Sequence, residues 1–101
     1  MEKVYISGKV TGLPMAEVEA KFAEAAGIVR HHGAVAVVPI HYCKVEWSWH
    51  RCMKTCLSLL LECDKIMLLS DWKKSRGAKV EYLVALVAGI PILKYRSHDP
   101  A

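Results

Sequence analysis

The sequence has no apolar run approaching the roughly 18 residues that a membrane-spanning helix requires, so no helical span is expected. Its first residues, MEKVYISG, have neither the apolar core nor the small-residue cleavage site of a secretion signal, and a cytoplasmic protein is expected. The paired Cys-x-x-Cys spacing of structural zinc sites is also missing. Three of the four cysteines (Cys52, Cys56, Cys63) fall in one apolar helical segment, where they read as small hydrophobes and reduced thiols. With Cys43, His41 and His50 near them a zinc site is conceivable, but no metal and no cofactor are expected. Charge of one sign is only slightly in excess, at +4 with a pI near 8.9. Lys73, Lys74, Arg76 and Lys79 cluster, as do Lys94 and Arg96, without the interleaved aromatics of a nucleic-acid surface. A nucleic-acid partner is therefore not expected, and a small phosphorylated ligand accounts for the same charges. Repeats, linkers and low-complexity segments are absent, which leaves one domain over residues 1–96 and a frayed tail over 97–101.

Within those limits the composition is globular, 53% hydrophobic and 24% charged. Four β-rich runs, at 3–7, 33–39, 65–70 and 90–95, alternate with three helical patterns. The runs are continuously apolar rather than alternating, as strands covered on both faces are. Met15, Val18, Phe22, Ala25, Ala26 and Val29 mark one face of the first helix, which Pro14 opens and Gly33 closes. A second helix spans 48–63 with Trp49, Met53, Cys56, Leu60 and Cys63 on one stripe. A third is capped by Ser75 and ends near Gly89. This order implies right-handed βαβ units and an α/β fold with a four- to five-stranded parallel sheet.

In such sheets ligands bind beyond the carboxyl ends of the strands, so the loops 7–13, 40–47 and 70–77 are expected to line the site. The first, SGKVTG, starts at Ser7 and places Gly8 and Gly12 where the chain turns from strand to helix. Bare amides there suit a phosphate or sugar hydroxyl, and equally an ordinary tight turn; the spacing fits neither the Walker nor the dinucleotide pattern. Ser75 and Gly77 offer a hydroxyl, free amides and a positive helix end, or merely an N-cap. Glu81 is the one acid on the apolar helix that follows, on a face shared with Ala78, Ala85 and Ala88. It is either a crevice carboxylate available for catalysis or the partner of Arg76 or Lys74. Trp47 and Trp49 read first as core or interface anchors, with stacking on a ligand base as the alternative.

Taken together, YISGKVTG, WSW, ECDKIMLL and SRGAKVEYLVAL resemble the nucleoside 2-deoxyribosyltransferase-like superfamily, and within it the small bacterial and phage branch of unknown function. The resemblance spans nearly the whole chain. It implies a flavodoxin-like three-layer sandwich, a homodimer or higher homo-oligomer, and a deoxyribonucleoside or nucleotide ligand. It also implies cleavage or transfer at the N-glycosidic bond by a glutamate nucleophile, six residues beyond a phosphate-contacting serine. Glu81 and Ser75 have that spacing, and Tyr5 and Gly8 match first-strand positions near the sugar and the nucleophile. A nucleophile for a sugar carbon is expected to be held dry and unpaired. Family enzymes carry an aspartate eight residues before the one that opens the third strand; here Asp64 opens it, and the position is Cys56. A thiol donates a proton weakly and supplies no carboxylate charge, so Asp71 is the candidate to compensate. Leu83 stands where active relatives often have glycine and is expected to narrow the pocket. The rival reading is a non-catalytic nucleotide-binding or regulatory module.

Overall fold

Strand β1 (Lys3–Ser7) runs through the middle of a parallel sheet and supplies side chains to both of its faces. The computed structural model describes residues 1–95, so the tail expected to fray lies outside the described residues. Helix α1 (Met15–His31) follows, then β2 (Val35–Val37), α2 (Trp49–Leu61), β3 (Lys65–Leu68), α3 (Arg76–Ala88) and β4 (Ile92–Lys94). Single 3-10 turns at Pro39–His41 and Trp72–Lys74 shape the loops after β2 and β3. The strand order is β2-β1-β3-β4, all parallel, in the flavodoxin-like arrangement of an α/β sandwich.

Alternation along β1 builds the two cores. Val4 and Ile6 face α1 and pack with Val18, Phe22, Ala25, Ala26 and Val29, the stripe anticipated from the sequence apart from the exposed Met15. Tyr5 and Ser7 face the other way, toward α2 and α3, where Cys56, Leu60 and Ala85 pack on Ile66 and Leu68. Small residues let α3 lie close: Ala78 and Ala85 are buried, and Glu81 lies between them, while Ala88 is exposed. Both helices of this layer begin at serine caps. The Ser48 hydroxyl accepts from the Arg51 amide at 3.1 Å, and the Ser75 hydroxyl accepts from the Ala78 amide at 3.1 Å.

Strand β1 matches the run that announces it, whereas β2, β3 and β4 are shorter than theirs. Strand β2 stops at Val37 because Pro39 has no N–H for the ladder and opens a 3-10 turn. Pro91 delays β4 in the same way, after Gly89 has closed α3 at a φ of 71°. Phe22 is the only phenylalanine in the chain and is fully buried against β1. Replacing it by alanine is expected to cost about 3–5 kcal/mol, read as a lower urea midpoint at an unchanged slope.

Candidate active site

Every group at the site converges on the carboxyl ends of β1 and β3, where the direction of chain winding reverses. A cavity of about 630 Å³ opens there, within the size range of small-ligand sites. All three expected loops contribute to it: Gly8 and Lys9 from the first, Ile40 and Trp47 from the second, Ser75 and Gly77 from the third. Glu81 reaches its wall from α3 and Cys56 from α2.

Glu81 is only 6% exposed, yet it makes no ion pair among the described residues. The Tyr5 hydroxyl donates to its Oε2 at 2.5 Å and the Ser7 hydroxyl to its Oε1 at 2.7 Å. Two residues apart on β1, these side chains project from the same sheet face. The carboxylate is therefore dry, as expected, but it is not unpaired. Two neutral donors hold its orientation without a counter-ion, and the remaining lone pairs stay available toward the cavity. Arg76 is drawn elsewhere, its guanidinium 3.8 Å from the centroid of the Trp49 ring.

Tyr5 and Ser7 stand behind Glu81, outside the cavity wall, so Tyr5 meets the nucleophile candidate and not a ligand. Ser7, expected to bind phosphate, spends its hydroxyl on Glu81 instead. Asp71 does not compensate for Cys56 within the cavity. It accepts from the Lys9 amide at 3.0 Å and pairs with Lys21 of α1, which pins the first loop to the third. Gly12, at a φ of 86°, serves the turn into α1 and lies off the cavity. Gly8 is required sterically, since a Cβ there would meet Leu69 Cδ1 at 2.7 Å. A Cβ on Gly77 would meet Met53 Sδ at 3.2 Å, so the start of α3 lies close against α2. Leu83 is exposed and outside the cavity: two residues beyond Glu81 on a helix it faces away, and it narrows nothing.

The wall holds further residues of the expected loops, with Trp49 just beyond them. Trp47 and Trp49 line the cavity rather than the core, with Arg51 stacked 4.3 Å from the Trp47 centroid. Lys9, Lys44, Lys74 and Arg76 line it too, against Glu81 as the one carboxylate there among the described residues. At the α3 N-terminus the Arg76 and Gly77 amides have no acceptor among the described residues. The cysteine expectation is corrected as well. Cys43, in the loop after β2, is joined to Cys52 of α2 in a disulfide with Cα atoms 5.5 Å apart, leaving Cys56 and Cys63 free. Sequence spacing did not bring Cys43 to α2; the return of the chain after the 3-10 turn does.

Burial, reinforced by the charge of Glu81 against the lowering effect of Tyr5, pushes the Cys56 thiol up to about 11, so it is protonated at neutral pH. Burial also raises the Tyr5 phenol, with the neighbouring Glu81 charge adding to it. For Glu81 burial raises the carboxyl above its ordinary range, against the lowering effect of the Tyr5 and Ser7 hydroxyls. The native state then binds this proton more tightly than the unfolded chain does. Stability from this group is therefore fullest below the ordinary carboxylate range and is lost as pH rises through the raised value. Glu81→Gln is accordingly expected to raise the melting temperature at neutral pH. The gap from the wild type should close as the pH is lowered toward about 4, followed by thermal melts across that range.

The geometry can be compared with known proteins. The chain superimposes on a 2-deoxyribosyltransferase from the psychrotolerant bacterium Bacillus psychrosaccharolyticus with a TM-score of 0.74 and 16% identity, over 98% of this chain and 75% of that one. A 2-desoxiribosyltransferase from Leishmania mexicana matches with a TM-score of 0.74 and 16% identity, over 95% of this chain and 65% of that one. This chain thus spans three quarters of the first enzyme and less than two thirds of the second. At such identity the likeness establishes a nucleoside 2-deoxyribosyltransferase-like fold. No curated protein matches the sequence significantly. The profile of one family, described as a domain of unknown function, matches residues 2–94, and on that match the chain belongs to the DUF4406 family.

Proposed function

We propose that the protein cleaves or transfers the N-glycosidic bond of deoxyribonucleosides or their 5′-monophosphates, with Glu81 as nucleophile. The observation that carries this reading is a buried carboxylate on a cavity wall, oriented by two hydroxyls and neutralised by no cation. A carboxylate so placed stabilises an oxocarbenium-like transition state and then bonds to the sugar. Attack by a Glu81 oxygen forms a bond to C1′ as the C1′–N bond breaks; its electron pair leaves with the base, which takes up a proton. Water or a second base then attacks C1′ and restores the carboxylate. Four cations and the free amides of Arg76 and Gly77 favour an anionic ligand, and a 5′-phosphate beside Ser75 satisfies them. Trp47 and Trp49 offer faces on which a base stacks.

Cys56 favours a second reading, a nucleotide-binding module without turnover. Its thiol is protonated at neutral pH and, among the described residues, no carboxylate other than Glu81 lines the cavity. The two readings separate by chromatography of free base released from deoxyribonucleosides and their monophosphates. Catalysis predicts release that falls by about 10³-fold or more in Glu81→Ala, and a wild-type rate that rises with pH as Glu81 ionises. The binding module predicts silence from the wild type and turnover only in Cys56→Asp.

We also propose that the chain forms a homo-oligomer through the outer face of α2 and α3. Leu61, Leu83 and Val87 border an apolar groove there, with Val87 90% exposed. A surface of this kind, uncharged and lying on two adjacent helices, suits pairing with its own copy. Light scattering should give the mass of a multiple of the chain, and Val87→Glu should return the monomer.

A further inference from the structure

Three sulfurs meet beside the cavity. Cys52 and Cys56 lie on consecutive turns of α2, and Cys43 reaches them from the loop after β2. The Cys56 sulfur lies 3.7 Å from that of Cys43 and 3.8 Å from that of Cys52, and the three atoms fall within 4.8 Å of one another. Being nearly equidistant from both, Cys56 sits beside the disulfide and not at its end, where an attacking thiolate would have to approach. The placement is therefore poor for exchange. It fits joint ligation: sulfurs about 2.3 Å from one tetrahedral ion are separated by about 3.8 Å.

We propose that, once the Cys43–Cys52 bond is reduced, Cys43, Cys52 and Cys56 bind one thiophilic divalent cation of the zinc type. A dithiol reductant gives two electrons and two protons to the S–S bond, leaving two thiols on the protein and a disulfide on itself. The cation then displaces three thiol protons to solvent and is held by three thiolates. Rotation of the Cys43 side chain suffices to part the two bonded sulfurs, because the backbone already holds all three residues at ligating range. The fourth coordination position faces the cavity that all three cysteines line, open to water or to a ligand donor. The sequence raised a zinc site here and set it aside for want of the paired spacing, since only the helical pair Cys52 and Cys56 is local. It stands apart from the glycosidic reading and is tested without any assay of activity.

The experiment is titration of the reduced full-length protein with Co²⁺, followed by displacement with Zn²⁺, while thiolate-to-cobalt charge-transfer absorption is recorded. One ion per chain is expected, with the band abolished on oxidation. Cys43→Ser and Cys56→Ser should each weaken binding by about 10–100-fold or more, with folding checked by circular dichroism, and Cys63→Ser should leave it intact. Absence of the band in the reduced wild type, its survival in both Cys43→Ser and Cys56→Ser, or equal binding by the oxidised protein would overturn the proposal.

Discussion

A carboxylate buried inside a protein must be answered by hydrogen bonds, and the bonds from Tyr5 and Ser7 to Glu81 are the constraint around which this fold is arranged. Both donors belong to β1, which like β3 has neighbours on both sides and is therefore held more firmly than the edge strands β2 and β4. The acceptor belongs to α3, which comes close enough only because Ala78 and Ala85 present almost no side chain to the strands. Strand register, helix approach and carboxylate orientation thus depend on one another. A shift of one residue in β1 would turn both hydroxyls to the α1 side and leave Glu81 buried without a donor.

Around that fixed point the cavity is assembled from loops held by separate devices. Asp71 ties the first loop to the third through the Lys9 amide and Lys21. The Cys43–Cys52 bond ties the second loop to α2. Gly8 and Gly77 remove side chains where Leu69 and Met53 press in. The result is a wall on which four cations and, among the described residues, a single carboxylate face one cavity.

Much of the architecture was legible in the sequence because it rests on local signals. Continuous apolar runs gave the strands, Ser48 and Ser75 marked the starts of their helices, and Gly89 marked an end. Glu81 was legible for a related reason, as a single charge on an otherwise apolar helix. The parts that were misread depend on contacts between distant segments. Asp71 was the candidate to compensate for Cys56 and is claimed by Lys21, fifty residues earlier. Ser7, read as the last residue of the first strand and the start of a ligand loop, does end the strand, but its hydroxyl turns to Glu81 of α3. For Trp47 and Trp49 the first reading, core or interface anchors, gives way to the alternative of a cavity wall, because an indole's burial is set by what packs over it, and here a cavity and two guanidinium groups do.

By itself the sequence determined the order of elements, the parallel α/β class and the residue types available at the sheet's carboxyl edge, because periodicity, capping and turn chemistry act over a few neighbouring residues. Only the tertiary structure decided which of those residues share a space. Hydrogen bonds and sulfur contacts form at about 3–4 Å, a distance that sequence separation does not control once the chain crosses over from one strand to the next. Tyr5 with Glu81, Asp71 with Lys21 and Cys43 with Cys56 are therefore properties of the fold.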